Sequence, residues 1–220
     1  MRRRHEQSII DRFSEFFLEQ GRSLGRDVNR FSLDGQDTEL GADYIFNSGT
    51  RFTLVEFKYE ERDILSEGSK PLRELLCVRL DSEQRRKLQS LNCHYISWSQ
   101  RVLNTRQVMF NKYYPEVCNT TVFSADMRYV CPDTSSRESA MGLVEQFLNG
   151  NIGSDFSEFQ NYTDWLMTLA GKEGTGVEVM MDNPASNELA LLEFSNLSAL
   201  NDYLVRNRPA PSVAPRTFRP

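Results

Sequence analysis

One stretch constrains the fold of this chain more than any other: Gly41 to Glu60, GADYIFNSGTRFTLVEFKYE. It reads as two strands joined at Asn47-Ser48-Gly49-Thr50, a turn signal before a run rich in β-branched and aromatic residues. Side chains alternate across a strand, so Thr53, Val55, Phe57 and Tyr59 share one face. Phe52, Leu54, Glu56 and Lys58 share the other, which places two charges in a strongly apolar strand. Folding the hairpin about Ser48-Gly49 sets Asp43 opposite residues 54–56. Asp43 and Glu56 then converge, with Lys58 one step along.

Two readings of that convergence are open. Facing carboxylates repel unless a cation lies between them or one is protonated. An oxygen-lined site of this kind suits Mg²⁺ or Mn²⁺, beside which an ammonium activates a water or balances charge building on a phosphate. The alternative is a surface hairpin whose Glu and Lys form an ordinary cross-strand pair.

The flanking helices bear on the choice. Ile9, Ile10, Phe13, Phe16 and Phe17 form a helical stripe over Ser8 to Gln20, which begins a few residues earlier and is closed by Gly21. Glu6 falls in that stripe. It either faces inward toward something it can pair with or lies exposed in the first turn. Pro71 opens a helix carrying Leu72, Leu75 and Leu76. A second helix, Glu83 to Leu91, is capped by Asp81 or Ser82 and turns Gln84, Leu88 and Leu91 inward. Arg85, Arg86 and Lys87 fall outward, either as a nucleic-acid contact beside the site or as a plain solvated face. Between Glu60 and Pro71 the charges read as a solvated linker.

Further along, Cys93 to Ser99 alternates as a strand. Its His94 reads more simply as a satisfied structural residue than as a base. Val28 to Leu33 is a short strand, Arg101 to Lys112 is ambiguous with helix as its candidate form, and Thr121 to Phe123 is a strand. Ser135 and Glu138 form a capping box for a helix ending at Gly150. Asp155 to Ala170 is a helix, Val177–Met181 and Leu189–Phe194 form a hairpin, and a helix covers Leu197 to Val205. The tail from Arg208 is Pro-rich and either disordered or laid on a partner.

Length fits one domain with an elaboration: residues 1–131 as the core, 132–207 as an acidic region packing on it, and 208–220 as the tail. The charge of −5 is uneven, with 20 basic and 19 acidic side chains in residues 1–131 and 6 against 12 in residues 132–220. Any polyanion-binding surface belongs to the first part. No apolar run suffices to span a membrane, and the N-terminus lacks the apolar core of a secretory signal, so the expected setting is cytoplasmic. The four cysteines read as reduced thiols. Their spacings match no iron–sulfur motif.

In order, the first hundred residues give a helix with an inward acid, a hairpin with Asp43 and Glu56-x-Lys58, a helix with an inward Gln, and a strand. This resembles the PD-(D/E)xK nuclease superfamily, although Ala42 stands where the name-giving proline would be. The resemblance implies an α/β, restriction-endonuclease-like core: a mixed sheet flanked by helices, here with a C-terminal helical and hairpin elaboration. It implies that Asp43 and Glu56 hold Mg²⁺ or Mn²⁺, that Lys58 assists the attacking water, and that Glu6 and Gln84 complete the site. The expected activity is phosphodiester hydrolysis, with DNA as substrate, by a chain working with a protein partner or as a homo-oligomer in phage defence or repair. The competing expectation is a non-catalytic interaction subunit of the same fold.

Overall fold

The computed structural model describes residues 2–33, 35–124, 127–182 and 191–207. Its organising element is a mixed sheet of β1 (Val28–Ser32), β2 (Tyr44–Ser48), β3 (Arg51–Glu60), β4 (His94–Val102), β5 (Thr105–Lys112), β6 (Glu138–Ser139), β7 (Val179–Asp182) and β8 (Leu191–Phe194). The spatial order is β6-β5-β4-β3-β2-β1-β7-β8. Only the β3–β4 neighbours are parallel, among the described residues. Parallel neighbours need a crossover. It comes from a 3-10 segment, Glu61–Ser69, followed by α3 (Pro71–Ser82) and α4 (Gln84–Cys93).

Helices cover both faces of the sheet, so the protein is α/β. On one face α1 (Arg2–Ser23) sets Ile10, Phe13 and Phe17 against Phe46, Val55, Phe57 and Phe110, and α6 (Ala140–Leu148) joins them. Gly21, expected to close α1, lies inside it. A Cβ there would meet Val28 Cγ2 at 2.4 Å, so the missing side chain is what lets β1 approach the helix. The other face packs Phe52, Leu54, Ile96 and Trp98 against α3, α4, α5 (Tyr113–Val117), α7 (Phe156–Leu169) and α8 (Leu197–Arg206). The short α2 (Asp37–Leu40) packs there as well, through Leu40. Residues beyond 131 thus add a helix or more to each helical layer and strands at both edges of the same sheet.

Several local expectations are corrected. Residues 105–112 form β5, paired antiparallel with β4 from Val102↔Thr105 to Tyr95↔Lys112. The pairing partner, not intrinsic propensity, decides a half-exposed strand of this kind. Residues 121–123 are not a strand, because Asn119 takes their backbone groups locally: its Oδ1 accepts from Thr121 N and its carbonyl from Val122 N. The N-cap of α6 is Ser139, accepting from Gly142 N, while Glu138 lies in β6. Asp81 caps nothing; it accepts from the Tyr114 hydroxyl and the Arg128 amide. Cys77 and Cys118 are joined in a disulfide between α3 and the end of α5, where reduced thiols are expected, and Cys93 and Cys131 are free. Sequence spacing cannot show such a pairing; it follows from how the two helices meet. The turn at 183–186 and the tail at 208–220 lie outside the described residues. Among the described residues, no helix is long and apolar enough to cross a membrane.

Candidate functional site

The hairpin register brings Asp43 to Glu56. Tyr44 pairs with Val55, and the Asp43 amide donates to the Val55 carbonyl at 3.0 Å. Past that point β2 no longer lines the edge of β3. Alternate amides of a strand point to the same edge, so Phe57 and Tyr59 would both be left without a strand partner. The Asp43 carboxylate accepts from Phe57 N at 2.7 Å, and the Glu6 carboxylate accepts from the Tyr59 amide. Two acids from separate elements therefore stand in line along the free edge of β3.

The approach to Asp43 is held from behind. Gly41, the left-handed cap of α2, has its carbonyl 2.9 Å from His94 Nε2, and a Cβ on it would lie 3.1 Å from Arg73 Nη1. His94 Nδ1 lies 3.0 Å from the Tyr162 hydroxyl. Burial pushes the His94 pKa down to about 3, so the imidazole is neutral and satisfied at both nitrogens: a structural residue, as its sequence context suggests.

Glu56 and Lys58 are 2 % and 6 % exposed. Glu56 Oε1 takes the Lys58 ammonium and, at 2.6 Å, that of Lys70. Its Oε2 is buried and has no hydrogen-bond partner. Glu67, fully buried, is the counterpart on the far side. Its Oε1 lies 2.7 Å from both ammonium groups, as ion pairs rather than aligned hydrogen bonds, and its Oε2 takes Arg73 Nε at 3.2 Å and the Tyr113 hydroxyl at 2.8 Å. Arg73 is anchored further by donating to the Thr38 and Asp37 carbonyls at 2.8 Å each.

The electrostatics separate the acids into two kinds. Burial works to raise the Glu67 carboxyl, but Lys58, Lys70 and Arg73 outweigh it and hold Glu67 far below the usual range. Burial likewise works against the Lys58 ammonium, and Glu56 and Glu67 outweigh it, so Lys58 stays protonated well above its ordinary value. Asp43 goes the other way. Burial and then the Glu56 charge push it well up, with Glu6 adding to them against the Phe57 amide and Lys58. Burial raises Glu6 too, with Glu56 adding, while Lys58, the Tyr59 amide and Lys70 oppose. Asp43, Glu56 and Glu6 are thus mutually repelling acids, and Glu6 faces the site.

Gln84 does not. It is exposed at the start of α4, whose buried side is Lys87, Gln89, Ser90 and Cys93; Leu88 is 51 % exposed. Two leucines set the expected phase of this short helix, and polar residues that find partners override it. Lys87 is buried over the Tyr114 ring, a second correction. Arg86 lies over Trp165 and donates to Gln89 and the Asn161 carbonyl, and Arg85 lies 3.7 Å from Glu158. The basic triplet is therefore engaged with α5 and α7, not with the β3 site.

Glu67 and Lys70 are hidden by a composition that makes residues 60–71 a solvated linker, and Arg73 lies just beyond it in α3. For Arg73 a signal exists: it lies at i−3, i−4 and i−7 from the buried Leu76, Cys77 and Leu80, the same inward placement that singles out Glu6. No protein-family model matches the chain, and no curated protein or solved structure matches it significantly.

The residues fit a divalent cation in part. Among the described residues no three His, Cys, Asp or Glu side chains are gathered closely enough to hold a metal as they stand. The unpartnered Glu56 Oε2 and the repelled Asp43 are nonetheless the donor chemistry that a hard cation takes. One consequence is measurable in the metal-free protein. An acid whose folded pKa is raised destabilises the fold once pH passes its unfolded value. Asp43→Asn, which keeps the acceptor for Phe57 N, is expected to raise stability at pH 7.5 by about 1 kcal/mol, roughly 2–4 °C in a chain of this size. The gain should shrink as pH falls and wild-type Asp43 takes its proton. A variant less stable than wild type at pH 7.5 would show that Asp43 is not under repulsion.

Proposed function

We propose that the chain is a metal-dependent nuclease of the PD-(D/E)xK type, with a restriction-endonuclease-like core and DNA as the expected substrate. The observation that carries this reading is the convergence of Asp43, Glu56 and Glu6 at the free edge of β3 around Lys58, with one buried Glu56 oxygen left without a partner. Asp43 and Glu56 would hold Mg²⁺ or Mn²⁺, which when bound supplies Lewis-acid polarisation of a phosphate oxygen. Lys58, held protonated between two carboxylates, cannot accept a proton; its part is to orient the attacking water and to balance charge building on the phosphate. Lys70, one-third exposed on the same Glu56 oxygen, is the cation nearest solvent. Glu67, Arg73 and Tyr113 fix Lys58 in place. Action with a partner protein or as a homo-oligomer belongs to the same proposal, since the chain's net charge is negative.

A second reading has an observation in its favour. Lys58 and Lys70 already pair Glu56, which suits a closed structural cluster in a non-catalytic subunit. Incubating the protein with supercoiled plasmid, linear duplex, single-stranded DNA and RNA, with Mg²⁺ or Mn²⁺, separates the two. Metal-dependent cleavage is expected; no cleavage of any of the four, alone or with a co-purifying partner, sinks the nuclease reading. Binding at the site also predicts that saturating Mn²⁺ raises the thermal midpoint of the wild type, by about 2.7 kcal/mol of stability at one hundred times Kd. Asp43→Asn should show almost none of that rise, and an equal rise in both proteins would place the metal elsewhere.

A further inference from the structure

Beside the site, at the C-terminal ends of β3 and β4, lies a cleft of about 730 Å³. Its lining includes Glu60, Arg62, Arg101, Arg106 and Arg137. Glu60 is two residues beyond Lys58 on β3, and the 3-10 segment that brings Glu67 to Lys58 also supplies Glu61, Arg62, Ile64 and Leu65 to the cleft. Cleft and acid cluster thus share one strand and one connecting segment.

The hairpin between β4 and β5 borders this cleft and carries three features that its folding does not need. Arg101 and Arg106 are direct cross-strand partners. Like charges in that position repel. Arg106 is compensated by Glu60 at 2.6 Å and lies over the Tyr59 ring, 4.3 Å from its centroid. Arg101 is exposed and, among the described residues, has no ion pair. At the tip, Leu103 is 90 % exposed with φ of 54°, a left-handed conformation that favours Gly or Asn. A bulky apolar residue held strained and in water at a loop tip points to a use outside the fold.

We propose that this hairpin is the strand-holding element of the protein: Arg101 takes a backbone phosphate of a nucleic acid while Arg106 stays on Glu60, and Leu103 presses against an unstacked base as it leads toward the acid cluster. The inference rests on the nucleic-acid substrate of the preceding reading and assigns the surface that holds it. Guanidinium groups suit phosphate oxygens, and apolar side chains at loop tips suit base steps. The remaining arginines of the cleft are already paired: Arg62 with Glu60, and Arg137 with Glu61 and Glu116. Arg101 is therefore the one that a phosphate reaches without breaking an ion pair.

The test is fluorescence-anisotropy binding, in EDTA so that nothing is cut, of fluorescein-labelled single-stranded DNA, single-stranded RNA and a duplex with a single-stranded overhang. Arg101→Ala should weaken binding roughly 10-fold and lower the slope of log K against log salt by about 0.7, one phosphate contact to a single strand. Leu103→Gly should weaken it roughly 5-fold while leaving the slope and the thermal midpoint no lower than wild type. Affinities within 2-fold of wild type for both variants overturn the hairpin's role, and if the wild type still cleaves, the nuclease reading survives alone. Weakened binding by the two variants, together with a wild type that never cleaves, keeps the hairpin and removes the nuclease. No binding to any oligonucleotide overturns the inference and leaves Leu103 to a protein partner.

Discussion

Replacing Glu67 with Ala should destabilise the protein by about 3–5 kcal/mol, the cost of leaving buried charges without their partner. Glu67 is fully buried, and both of its oxygens are used, by Lys58 and Lys70 on one and by Arg73 and Tyr113 on the other. Lys70 can turn to solvent when the carboxylate is removed. Arg73, 1 % exposed, and Lys58, 6 % exposed, cannot. Denaturant unfolding should show a lower midpoint at an unchanged slope, and the thermal midpoint should fall by on the order of 10 °C. The pH dependence has a definite sign. Glu67 titrates lower in the folded than in the unfolded chain, so its contribution is fully present above the ordinary carboxyl value of 4.5 and fades as pH falls through the folded one. Wild type and variant should therefore converge only in strong acid. A loss under 1 kcal/mol would mean that water reaches the cluster and that Glu67 is not what holds Lys58.

If the chain is the nuclease proposed above, Lys58→Ala should lower its metal-dependent cleavage by about 10²–10³-fold or more, the usual effect of removing one donor that stabilises transition-state charge. The comparison that gives the result meaning is stability. Without Lys58, Glu56 still has Lys70, and Glu67 still has Lys70, Arg73 and Tyr113. The variant should therefore fold, with a smaller loss than Glu67→Ala. Lys58→Met, which keeps most of the buried stem, separates the charge from the packing. Equal inactivity of the Ala and Met variants in folded protein assigns the effect to the ammonium. Cleavage by Lys58→Ala within 3-fold of wild type would remove Lys58 from the reaction.

The parts of this site visible in the sequence are those set by strand alternation and hairpin register. The facing of Glu56 and Lys58 follows from a period of two, and the approach of Asp43 follows from the turn at Gly49. Glu6 is visible because a carboxylate in an apolar helical stripe must pair with something. Helix periodicity is a weaker guide where the helix is short and polar: in α4, Leu88 points to solvent while Lys87 and Gln89 are buried with partners, so the phase set by the leucines turns Gln84 inward although it is exposed. The residues around Glu67 were hidden for a different reason. A 3-10 segment repeats every three residues, so Ile64 and Glu67 turn inward together within a stretch whose composition reads as solvent-exposed. The Cys77–Cys118 link depends on the meeting of two helices, which no local pattern encodes.

The two carboxylates along the edge of β3 also bear on solubility. A strand edge with free amides is a template onto which another chain can add a strand. Asp43 and Glu6 occupy the Phe57 and Tyr59 amides with carboxylates that no incoming strand can displace without leaving them buried and stripped of those partners. The acids that would serve chemistry therefore also blunt an edge of the central sheet. Truncating either to Ala frees an amide, so Ala variants at these positions should self-associate more readily than Asn or Gln variants, whatever either change does to cleavage.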